Sequence, residues 1–210
     1  MIRARVLAAA LWVALPVAAS AQAGDWDARL DDATRAAVEA TLSEAVRDSL
    51  PLGALRSKVL EGVAKAVPPE RIGQVVADFA DELRAARSML RESLPGRPIE
   101  DGEVAAVAMA TRQGLGPEVV RSLWASRPNG GSLEIPVTVL SELVRRGVSP
   151  GDASAVMAHV VRTAVPLHVA AQLPGKIDGA LGAGVPPSAA LGQALRTLNI
   201  PEPPGRRPNE

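Results

Sequence analysis

Four short stretches punctuate this chain in the same way: KAVPP at 65–69, QGLGP at 113–117, RGVSP at 146–150 and AGVPP at 183–187. Aligned on the last proline, each reads small residue, aliphatic residue, then Pro, Gly or Ser, then Pro. Glycine enters the left-handed region without a Cβ penalty, so Gly114, Gly147 and Gly184 are expected just past the ends of helices. The following Leu115, Val148 or Val185 then folds back on the helix just finished. Pro117, Pro150 and Pro187 open the next helix with φ already set and no N–H to lose. Ala66 departs from this pattern, because alanine is strained where glycine is not. Such corners confine the chain to short helices laid against one another.

Between the corners the apolar residues recur at helical spacing. Leu30, Ala33, Ala37, Thr41, Leu42, Ala45 and Val46 share a face over 26–49. Leu52, Leu55, Val59 and Val63 form a stripe after Pro51. Ile72, Val75, Val76, Phe79, Leu83, Ala86 and Leu90 point inward from a helix starting at Pro69. Further helices are predicted at 103–113, 117–126, near 136–146, 151–163, 176–183 and 187–198. LEIPVTVL (133–140) comes closest to a strand, but Pro136 interrupts it and helical spacing resumes. The expected fold is therefore all-α: an irregular stack of about 8–9 helices in hairpins joined by Gly/Pro corners, with no sheet. The corners are unevenly spaced, which excludes a solenoid of fixed period. SLPGRPIEDGE (93–103) is the natural boundary between an N-terminal helical part, 24–95, and a C-terminal one, 96–198. The segment 199–210 has little apolar surface and is expected to be a disordered tail.

Residues 1–23 have the layout of a secretory signal peptide: Arg3 and Arg5, an apolar run broken by Pro16, then small residues before a cut between Ala23 and Gly24. The run is too short and too alanine-rich for a retained membrane anchor. The chain has no cysteine, so it lacks a lipid-attachment residue, disulfides and thiolate metal sites. Periplasmic or secreted localisation is expected. Formal net charge is zero before cleavage, and two arginines leave with the leader. A nearly neutral chain lacks the basic footprint that nucleic acid requires.

The residues that could carry chemistry are few. His159 and His168 lie nine apart across Pro166, which is no metal-ligand spacing on one helix. There is no Gly-x-Ser-x-Gly elbow and no phosphate loop. The acids Asp25, Asp27, Asp31 and Asp32 lack the turn and distal glutamate of a calcium loop and suit a helix N-terminus. Two features fit an interaction surface. One is Trp124, in a chain with almost no aromatic residues; the other is the stripe of Arg84, Arg87 and Arg91. No cofactor is expected. The sequence reads as an exported, non-enzymatic helical protein of the bacterial envelope that binds another envelope protein or plays a structural part. The alternative is a small metal-binding or hydrolytic enzyme using His159 and His168. Membrane-surface binding would need a wide apolar face, for which 103–111 and 153–170 are the candidates.

Overall fold

The computed structural model describes residues 29–127 and 130–204. The expected leader, its cleavage point at Ala23 and Gly24, and Asp25, Trp26 and Asp27 lie outside the described residues. Within them the chain is helical and contains no strand. The helices are α1 (Asp32–Arg47), α2 (Leu52–Ala64), α3 (Pro69–Ser93), α4 (Asp101–Arg112) and α5 (Pro117–Ala125). They continue as α6 (Glu134–Arg145), α7 (Pro150–Arg162), the single turn α8 (Leu167–Ala170), α9 (Leu173–Gly182) and α10 (Pro187–Thr197). LEIPVTVL is helical, because Pro136 falls in the first turn of α6, where its missing N–H has no intrahelical partner to lose.

The corners close in one way. Gly114, Gly147 and Gly184 take φ of 77°, 86° and 80°, and Ala66 follows them at 51°. Ser49, Ala164 and Asn199 do the same at 56°, 53° and 53°, which marks three corners that the glycine pattern does not reveal. At every one of these seven positions the next residue donates its N–H to the carbonyl five residues back. Val67 to Gly62 and Leu115 to Ala110 are examples, at 3.0 and 3.1 Å. This is the Schellman bond, and it satisfies a carbonyl that the helix end would otherwise orphan. Alanine at 66 and 164 accepts the left-handed conformation because the same bond and the aliphatic residue after it hold it there. At Gly147 a Cβ would also come within 3.3 Å of Pro187, so one corner abuts the start of α10.

The helices enclose one hydrophobic core of Leu, Val, Ala and Ile side chains. It runs without interruption through the 93–103 stretch, since Leu90, Leu94, Val104 and Val107 all belong to it. α4 packs on α3 and α6, and α1 and α2 both pack on α3. The apolar faces of 103–111 and 153–170 are largely spent in this packing: Val104, Ala106, Val107, Val156, Met157 and Val160 are buried. None of the described helices is long and apolar enough to cross a membrane. The start of the segment read as a disordered tail is anchored, with Ile200 only 4% exposed and its N–H bonded to Leu195. Residues 205–210 lie outside the described residues.

Candidate functional site

Four polar clusters tie the corners to the stack. At the N-terminus of α1, Asp31 accepts from the Thr34 amide and hydroxyl, both at 2.9 Å, so this acid is a helix cap. The Thr34 amide bond holds the Asp31 carboxyl below its ordinary range. At the α1–α2 corner, Arg84 on α3 reaches Asp48 (2.6 Å), Asp81 (2.5 Å) and Glu44 (3.4 Å), and Arg87 donates to the Ser49 carbonyl. Two members of the arginine stripe are thereby engaged in the chain's own clamp; Arg91 is exposed. At the α6–α7 corner, Arg146 grips Asp178 on α9 with two bonds of 2.7 and 2.9 Å, and also meets Glu142.

The fourth cluster is the most buried. Glu103 in the first turn of α4 is 0% exposed. It accepts from the amide of Leu133 at 2.7 Å, from the amide of Glu100 at 3.1 Å and from the Arg97 guanidinium. Burial alone would raise its pKa, but the Arg97 bond and the two amides outweigh that and hold the carboxyl below its ordinary value. Arg97 in turn lies 4.4 Å over the Trp124 ring. Trp124 is thus a half-buried element of a joint between the α3–α4 loop, α4, α5 and the start of α6. Arg127 closes the same joint by donating to the Ser132 carbonyl.

The histidines stand apart in environment. His168 is exposed on α8; His159 is half-buried on α7, with a buried Nε2 that has no hydrogen-bond partner. Among the described residues no group of three or more His, Cys, Asp or Glu side chains is placed to hold a metal ion.

A cleft opens between α2 and α3 at the Val67-Pro68-Pro69 corner. It has a volume of about 190 Å³ and is lined by Lys58, Glu61, Gly62, Lys65, Val67, Arg71, Ile72 and Val75. Gly62 lets the two helices meet here, since a Cβ on it would stand 2.9 Å from the Ile72 side chain. Val67, Ile72 and Val75 form an apolar floor. Lys58, Lys65 and Arg71 form the rim around a single carboxylate, that of Glu61. Lys58 and Lys65 donate to Glu61 at 2.8 and 2.5 Å, and these bonds lower its pKa to about 2. Arg71 is exposed and has no ion-pair partner among the described residues.

The spacing of apolar residues places Val75 on the inward face of its helix but does not link it to Glu61. The signal that links them is Gly62 on α2, which removes a side chain where Ile72 arrives after the corner. A cavity of about 190 Å³ is below the roughly 300–1,000 Å³ of small-molecule sites. No protein family matches the chain, and comparison with curated proteins and with solved structures finds no similar protein.

Proposed function

We propose that this chain is an exported, non-enzymatic helical module of the bacterial envelope that works by binding another protein, with the α2–α3 cleft as its working surface. The observation that carries the reading is the open apolar floor beneath a cationic rim at that corner. The other charged clusters support it by contrast. Arg84, Arg87, Arg97 and Arg146 are each committed to contacts between elements of the chain itself. Export rests on the leader-like layout of residues 1–23.

The test is site-specific photo-crosslinking in the producing cell. A photoreactive residue at Val75 is expected to trap a discrete protein adduct, and one at Val46, exposed elsewhere on α1, is expected to trap none. Equal trapping at both positions, or no adduct at Val75, overturns the assignment. Export is checked separately by the N-terminal sequence of the extracytoplasmic protein. It should begin at Gly24; retention of Met1 in the cytoplasm contradicts it.

A further inference from the structure

We infer that the partner segment this cleft receives is acidic: a short stretch of polypeptide that presents one aliphatic side chain between carboxylates. The inference rests on reading the cleft as the working surface and adds the chemistry of what enters it. The floor of Val67, Ile72 and Val75 calls for an apolar group, and the cavity of about 190 Å³ limits it to a single side chain. The rim calls for negative charge. Three cations surround one carboxylate, and that carboxylate already accepts from two ammonium groups. Arg71 is exposed at the rim with no ion-pair partner among the described residues, and a guanidinium's paired donors match a carboxylate.

Spacing narrows the partner further. Lys58 on α2 and Lys65 at its C-cap lie two turns apart, about 10 Å along the axis. An extended peptide covers that distance in roughly three residues. Alternate side chains of an extended peptide share a face, so acids two positions before and after a leucine, about 13 Å apart, bring their carboxylates to the two lysines while the leucine sits over the floor. The lysines are differently exposed, at 25% and 66% of the side chain: Lys58 packs against the cleft wall, while Lys65, paired with Glu61, reaches further into solvent.

The experiment is an amide chemical-shift titration of the purified, isotope-labelled protein with three capped pentapeptides. They are Glu-Glu-Leu-Glu-Glu, Glu-Glu-Gly-Glu-Glu and Lys-Lys-Leu-Lys-Lys. The first is expected to move amides within 58–75 with a dissociation constant on the order of 1 mM, as one buried side chain and screened surface charges give. Loss of the leucine or reversal of the charges should each weaken it about tenfold or more. The double variant Lys65→Glu, Arg71→Glu should do the same, and Arg162→Glu on α7 should not. Shifts of equal size from the lysine peptide overturn the acidic partner while leaving the cleft as a docking site. Absence of any shift in 58–75 from the first peptide also overturns it. Crosslinking at Val75 reads the underlying assignment independently.

Discussion

The joint around Glu103 and the cleft around Glu61 are built from the same parts, a glutamate held by cations beside apolar side chains, yet they do different things. Glu103 is sealed, and its partners come from the α3–α4 loop and from Leu133, thirty positions along the chain. Glu61 is nearly half exposed, and its partners Lys58 and Lys65 are on its own helix, three and four residues away. A carboxylate whose bonds join distant elements is architecture. One whose bonds stay within a helix contributes little to the fold.

The sharpest way to break this contrast is to remove each carboxylate. Glu103→Ala leaves a buried guanidinium and the Leu133 amide without their acceptor, and urea unfolding should show a loss of about 3–5 kcal/mol. Acid should act through the same group. The folded pKa of Glu103 is depressed below 4.5, so its contribution is complete above that value and is lost as pH falls through the lower folded value. Stability measured from pH 6 down to pH 3 should therefore decline, and Glu103→Gln should flatten the decline.

The corners supply intermediate effects. Gly147→Ala should cost about 1–2 kcal/mol, since φ of 86° is strained for alanine and the new methyl meets Pro187. Ala66→Gly at the corner of the cleft should instead stabilise, by about 0.5–1 kcal/mol, because it relieves the same strain in reverse. Glu61→Gln should have the smallest effect, less than about 0.5 kcal/mol. It removes helix pairs that solvent already screens, and although Glu61 titrates near 2 it should barely alter the acid decline.

The glycine corners could be read directly from the chain, because glycine is the residue that left-handed backbone favours. Ser49, Ala164 and Asn199 could not, although their hydrogen bonds are the same. Only the packed helix end makes the Schellman bond worth more than the strain of a non-glycine residue there. Local pattern also gave the helices and the inward faces of α2 and α3. It gave nothing of the Glu103–Leu133 bond, because a contact between positions thirty apart leaves no periodicity. Ile200 was obscured in the same way: one aliphatic residue among prolines looks insufficient to pack until a Schellman corner turns it back on α10. Trp124 stood out as a rare aromatic, but its pairing with Arg97 arises from the fold. The cleft followed from a glycine, which is the residue least expected to mark a site.

The central claim is that the cationic rim of the α2–α3 cleft is spare to the fold and necessary to the proposed function. The most direct measurement is made on the double variant Lys65→Glu, Arg71→Glu carrying the photoreactive residue at Val75, followed for both melting temperature and adduct yield. The expected result is a melting temperature within about 2 °C of the parent, as for surface changes, with the adduct lost. An unchanged adduct, or a fall in melting temperature comparable to that of Glu103→Ala, contradicts the claim.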